Sequence, residues 1–143
     1  MNFKKYKQQK SKLKRVSDNT ITKDVFLKGA PIKLMNIEEL IPATYNPRTI
    51  TPKARKGLIA SISKFGLVEP IVWNKRTGRI VGGHQRACIL KEDFNIEQVQ
   101  VSIVDLNDSD EKTLNVALNY TGIQGDFVEE ELQTLVSLSL IHI

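Results

Sequence analysis

Apolar residues recur at every third or fourth position in some stretches of this chain and at every second position in others, and the change of period divides it into elements. Ile32 to Ile37 reads as a strand, and Asn36-Ile37-Glu38-Glu39-Leu40-Ile41 carries it into a short helical turn stopped by Pro42. Tyr45-Asn46-Pro47-Arg48 is a loop, because the residue before a proline is pushed out of helical space. Thr51-Pro52 opens a helix with a hydroxyl cap and a proline at a position where its missing N–H is harmless. Leu58, Ile59, Ile62 and Phe65 line the inner face of that helix, Lys53, Lys56 and Lys64 lie opposite, and Gly66 ends it.

Leu67 to Trp73 reads as a turn into a strand, Lys75-Arg76-Thr77-Gly78 as a hairpin loop, and Arg79-Ile80-Val81 as the return strand. After Gly82-Gly83 a helix runs from His84 to about Phe94 with Ala87, Leu90 and Phe94 inward, and Val99 to Val104 alternates as another strand. Asn107-Asp108-Ser109-Asp110-Glu111 supplies a cap and first-turn acids for a helix that turns Leu114, Ala117 and Leu118 inward. A loop with Gly122 and Gly125 precedes a final helix near Phe127 to Val136, and the ending Leu138 to Ile143 is apolar enough to form a strand or pack on a partner.

Length and composition limit what this pattern builds. The chain has 143 residues, which fits one ordinary domain burying roughly two-thirds of its unfolded surface. Residues 1–20, polar and basic, read as a disordered tail, and 21–143 as a single domain. The tail is either a solubilising extension or an arm held to nucleic-acid phosphate by salt-sensitive contacts. The single cysteine, Cys88, excludes an internal disulfide and reads as a small buried side chain in a reducing, cytoplasmic setting. No segment approaches the ~18 consecutive apolar residues of a membrane helix, and the basic start lacks an apolar signal core, so no membrane association is expected.

The net charge of +5 is unevenly distributed. Residues 46–91 hold ten basic side chains with Glu69 as the only acid, whereas residues 92–143 hold one basic residue and eleven acids. The first block is suited to meet anions.

Candidate chemistry centres on that block. Gly82-Gly83, between a short strand and a helix start, lets the backbone approach a ligand, with the helix amides and Arg86 facing any negative group that arrives. This is neither a Walker loop, lacking Gly-Lys-Ser/Thr, nor a dinucleotide fingerprint, lacking the third glycine. His84 reads as a general base, a phosphate donor or a helix-start residue without chemical role, and no metal site is expected on it. Asp108, Asp110 and Glu111 could hold a divalent ion, but three first-turn acids are what a helix dipole favours anyway. No serine or cysteine triad is legible.

Three segments together resemble the ParB-like N-terminal domain of the ParB/sulfiredoxin superfamily: Asn46-Pro47-Arg48, Leu58 through Gly66-Leu67-Val68-Glu69-Pro70-Ile71-Val72, and Ile80-Val81-Gly82-Gly83-His84-Gln85-Arg86. The resemblance covers about residues 32–136 and is nearest to versions from phages and mobile elements, some joined to DNA methyltransferases, in which a segment similar to Val116-Ala117-Leu118-Asn119 follows. It implies an α+β fold, a small mixed β-sheet flanked by helices. It also implies a phosphate loop of Gly82, Gly83, His84, Gln85 and Arg86, with Arg48, Glu69 and Asn119 around it, taking ATP or CTP with Mg2+. His84-Gln85 replaces the glutamate and first arginine of segregation ParB, and His84 stands where sulfiredoxin has its catalytic cysteine, so sulfinic-acid reduction is not expected.

The resulting expectation is a domain that binds a nucleotide or nucleic-acid phosphate in DNA partition, modification or regulation. His84 is its one catalytic candidate, and its partners are DNA, a DNA-processing protein such as a methyltransferase, and a second copy through the apolar C-terminus. Two alternatives stand beside it, a nuclease or nucleotide phosphohydrolase and a noncatalytic DNA-binding adaptor using the basic tail.

Overall fold

The computed structural model describes residues 29–45 and 47–119. They form strand β1 (Ile32–Asn36), a 3-10 turn (Ile37–Glu39), helix α1 (Pro52–Phe65), strands β2 (Ile71–Asn74) and β3 (Ile80–Gly82), helix α2 (His84–Glu92), strand β4 (Gln98–Val104) and helix α3 (Asp108–Asn119). Contacts divide the chain at Ala30, and all of these elements lie in the second unit. The expected basic tail, Asn46, the Gly122–Gly125 loop, the helix near 127–136 and the apolar C-terminus lie outside the described residues.

Local signals account for the boundaries. Asn36 caps the 3-10 turn by accepting from the Glu38 amide at 3.0 Å, and Thr51 caps α1 by accepting from the Ala54 amide at 3.1 Å. Gly66 closes α1 with φ 75. The Asn107 side chain accepts from the Asp110 amide at 2.8 Å at the head of α3.

The sheet is mixed, in the order β1-β4-β2-β3. β4 pairs antiparallel with β1 and parallel with β2, and β2 pairs antiparallel with β3. Residues alternate between the two faces of a strand. Met35, Val99, Val101 and Ile71 therefore share one face, and they join Ile62 of α1 with Ala87, Ile89 and Leu90 of α2 in the core. Val72 and Asn74 point to the other face, where Asn74 meets Glu111 of α3.

Three expectations change. Phe65 is 63% exposed, because Leu58, Ile59 and Ile62 fill the space under α1 and the last residue of the helix is left at the rim. Cys88 is exposed, not buried. The inward side of α2 is set by Ala87, Ile89 and Leu90, and at 3.6 residues per turn Cys88 falls opposite them. On α3 the buried residues are Glu111 and Asn115, whereas Leu118 is 36% exposed. That helix turns Glu111 and Asn115 toward polar groups of the hairpin, with Leu114 and Ala117 half-buried beside them.

Glu111, with no solvent exposure, accepts from the Tyr45 hydroxyl at 2.6 Å, from Asn74 Nδ2 at 2.9 Å and from the Thr77 hydroxyl. Arg79 Nε lies 2.9 Å from Oε2, the oxygen that also accepts from Tyr45, near enough for charge pairing although misaligned for a hydrogen bond. Removing one partner of a buried pair leaves the other charge uncompensated. Glu111→Ala should therefore lower unfolding stability by roughly 3–5 kcal/mol, whereas Asp110→Ala, in the same helical turn but exposed, should change it by less than about 1 kcal/mol. Urea unfolding of the two variants checks this, and equal effects would contradict the assignment.

Candidate functional site

β3 delivers the chain to Gly82, and Gly83 caps α2 with φ 90, a left-handed conformation glycine adopts without steric penalty. A Cβ at Gly83 would lie 2.9 Å from Arg86 Nη2 and 2.9 Å from Ile71 Cδ1, so the guanidinium lies directly over this glycine. The Ala87 amide donates to the Gly83 carbonyl at 2.9 Å. Helical geometry consequently gives the amides of His84, Gln85 and Arg86 no acceptor within the helix, and the positive end of its dipole sits beside Arg86.

The segment after the 3-10 turn passes over this loop and is tied to it repeatedly. Ile41 bridges the edge of β3, donating to the Gly78 carbonyl at 3.0 Å and accepting from the Ile80 amide at 2.8 Å. The Ala43 amide donates to His84 Nε2 at 3.2 Å. Gln85 Nε2 reaches the Arg48 carbonyl at 3.5 Å, and Arg48 Nη1 donates to Asn119 Oδ1 at 2.5 Å. Arg48, Asn119 and the Gly82–Arg86 loop, far apart in sequence, thus meet at one end of the sheet.

Glu69 comes to the same loop from the start of β2. Its carbonyl accepts from Arg86 Nη1 at 2.5 Å, and its carboxylate lies 3.8 Å from that nitrogen. The Glu69 side chain is 84% exposed, so the long ion pair is weak and open to competition. The His84 imidazole is held below its ordinary pKa by burial. With Nε2 accepting from Ala43, the proton of the neutral ring belongs on Nδ1.

Helix α3 closes the site through polar residues at intervals of four. Asn119 Nδ2 donates to the Asn115 carbonyl at 2.7 Å, and Asn115 Nδ2 donates to the carbonyl of Val81, the residue before Gly82, at 2.9 Å. Glu111, two turns earlier, carries the buried contacts to Asn74, Thr77, Arg79 and Tyr45. Burial pushes the Glu111 carboxyl up, but the hydrogen bonds from Thr77, Tyr45 and Asn74 and the Arg79 charge outweigh it and hold the pKa below the ordinary value. Burial and the bond to Glu111 push the Tyr45 phenol well above its usual range. Sequence periodicity missed Tyr45, Asn115 and the role of Glu111; the one signal was the spacing of Glu111, Asn115 and Asn119.

Part of the positive block is paired with acids from beyond it. Arg55 pairs with Asp93 at 2.5 Å, Arg76 with Asp105 at 2.9 Å, Lys91 with Glu38 at 3.1 Å, and Arg79 with Asp108. Arg48 contributes its guanidinium to an asparagine, not to an acid. A groove of about 440 Å³ lined by Leu34, Ile62, Leu67, Leu90, Phe94 and Ile96 shares no residue with the loop and carries no cationic side chain for a phosphate. Among the described residues no cluster of His, Cys, Asp or Glu could hold a metal, and no helix is long and apolar enough to cross a membrane.

The depressed His84 pKa has a signed consequence. Below its ordinary value of 6.5 the unfolded chain takes up a proton that the folded state resists, so stability present above about pH 6.5 is lost as pH falls toward the folded-state value. Melting curves between about pH 7.5 and 5.5 should fall more steeply for wild type than for His84→Gln. Parallel curves would contradict this.

The model for the ParB N-terminal domain matches residues 21–120. Among solved structures, the chain is similar to a C-terminally truncated chromosome-partitioning protein ParB from Caulobacter crescentus complexed with CTP-gamma-S (TM-score 0.59, 21% identity, 78% of this chain and 65% of that one). It is also similar to a Pnob8-like ParB-N domain (TM-score 0.52, 20% identity, 64% of this chain and 36% of that one). The chain thus spans less than two-thirds of either structure, and no curated protein matches it. The family match covers most of the chain, and the mixed sheet with three helices agrees with these folds: the chain belongs to the ParB N-terminal domain family.

Proposed function

We propose that the domain binds a nucleoside triphosphate, its phosphates seated on the Gly82–Arg86 loop, and serves DNA partition, modification or regulation. The observation that carries this reading is the convergence of two arginines on a glycine-capped helix start, Arg86 over Gly83 and Arg48 opposite on a loop tied to His84, Gln85 and Asn119. Amides at a helix start favour phosphate oxygens, and guanidinium groups bind them in paired geometry. The Caulobacter protein of similar fold was captured with CTP-gamma-S, which makes CTP the first nucleotide to test and ATP the second.

Each residue has a defined task. Gly83 lets the backbone turn without a side chain in the way, and Gly82 ends the strand where α3 packs on it. Arg86 neutralises the phosphate charge, and Arg48 closes from the facing loop. Gln85 and Asn119 orient Arg48 through its carbonyl and guanidinium. His84 holds Ala43 with Nε2, so any proton it donates to a phosphate comes from Nδ1. The loop offers no carboxylate besides Glu69, which faces Arg86. The residues present therefore fit the nucleotide but supply no carboxylate set for Mg2+, which would be carried by the phosphates themselves.

Titration calorimetry with CTP, ATP and ADP tests the reading. At least one triphosphate should bind wild type, and Arg86→Ala should weaken it about ten- to a hundredfold, the range for a charge-assisted hydrogen bond. Glu69→Gln should tighten binding by up to about fivefold, because it removes a negative charge that competes for Arg86. Failure of wild type to bind any of the three would overturn the proposal.

A further inference from the structure

The Arg48–Asn119 pair joins two exposed segments, a loop and the last turn of a helix, and on its own such a hydrogen bond would hold neither in place. Both segments run back to one buried group. Tyr45, three residues before Arg48, donates its hydroxyl to Glu111 at 2.6 Å, and its ring lies 5.3 Å from the Arg79 guanidinium and 5.4 Å from the Lys112 ammonium. Pro47 fixes one of the few backbone torsions between that anchor and Arg48. Asn119 sits two turns beyond Glu111 at the end of the same helix, and Asn115, between them, is pinned to the Val81 carbonyl.

We propose that Glu111 is a positioning residue for the phosphate site: its buried carboxylate sets the location of Arg48 through Tyr45 and of Asn119 through α3, so that the two meet opposite Arg86. This rests on the nucleotide reading above. The burial of the carboxylate makes the arrangement definite. Each partner comes from a different segment, with hydrogen-bond donors Asn74 on β2, Thr77 in the hairpin turn and Tyr45 on the loop, and the Arg79 charge at the foot of β3. A fully buried charge left with a missing partner is strongly disfavoured, so these segments share one arrangement. Tyr45 is the only one of the four partners that lies on the loop leading to Arg48, which separates the positioning role from fold stability.

Tyr45→Phe removes only the hydroxyl and keeps the ring between its cations, so it avoids the unfolding hazard of substituting Glu111. In titrations with CTP and ATP, with wild type and Arg86→Ala as references, Tyr45→Phe should weaken binding about five- to tenfold while its circular dichroism spectrum stays native. In an Arg48→Ala background the same change should have almost no effect, because the hydroxyl acts through Arg48; a merely structural role would add its full penalty there. A second readout needs no nucleotide: in the ligand-free protein the NMR resonances of the Asn119 side-chain amide should move on Tyr45→Phe, and this decides the matter where Arg48→Ala binds too weakly to measure. Wild-type binding with loss in Arg86→Ala, but no effect of Tyr45→Phe or an effect fully additive with Arg48→Ala, overturns the positioning role and leaves the nucleotide reading intact. Failure of wild type to bind either nucleotide overturns both.

Discussion

A carboxylate with no access to water is the constraint on which the candidate site depends. Transfer of a charge from water into a protein interior is strongly unfavourable unless it is paired and hydrogen-bonded, and Glu111 meets that requirement with groups from β2, the hairpin turn, the foot of β3 and the loop before Arg48. A buried pair of this kind is weak evidence for extra stability compared with an apolar core. Its consequence is geometric. It fixes α3 against the hairpin and the Arg48 loop against α3, and those three pieces frame the mouth of the glycine loop.

Within that frame the local backbone does the rest. Gly83 takes a left-handed turn with Arg86 folded over it, and there is no room for even a methyl group between them. The chain's charges are arranged on the same local principle. Read along the sequence, ten basic residues stand in one block, yet in the fold Arg55, Arg76, Arg79 and Lys91 are paired with acids drawn from outside it. Ion pairing at short range lowers the long-range field of those four cations, whereas the Arg48 guanidinium bonds an asparagine and Arg86 lies over Gly83 at a helix start.

Much of this was legible in the sequence because it is local. A hydroxyl followed by proline at Thr51-Pro52, a glycine at Gly66, and alternation across Val99 to Val104 each reflect physics acting within a few residues, and the elements lie there. The strand–glycine–helix succession at Ile80 to Arg86 was equally readable, as was the proline loop that carries Arg48. Periodicity failed where an element packs on polar groups. On α3 it favours Leu114 and Leu118 as the inner face, but the hairpin presents the Val81 carbonyl and Asn74, and the helix turns Asn115 and Glu111 toward them. Phe65 and Cys88 are exposed for other reasons: Phe65 is the last residue of α1, at the rim beyond the packed residues, and Cys88 lies on the face of α2 opposite Ala87, Ile89 and Leu90.

The central claim is that a nucleotide's phosphates meet this chain at the glycine loop. An amide-resolved NMR titration of the full chain with CTP and ATP tests it most directly. The account predicts that resonances of Gly82 to Arg86 and of Arg48 move together and saturate at one concentration, while those of the apolar groove around Leu34, Phe94 and Ile96 stay in place. Shifts confined to the groove, or none anywhere at millimolar nucleotide, would contradict it.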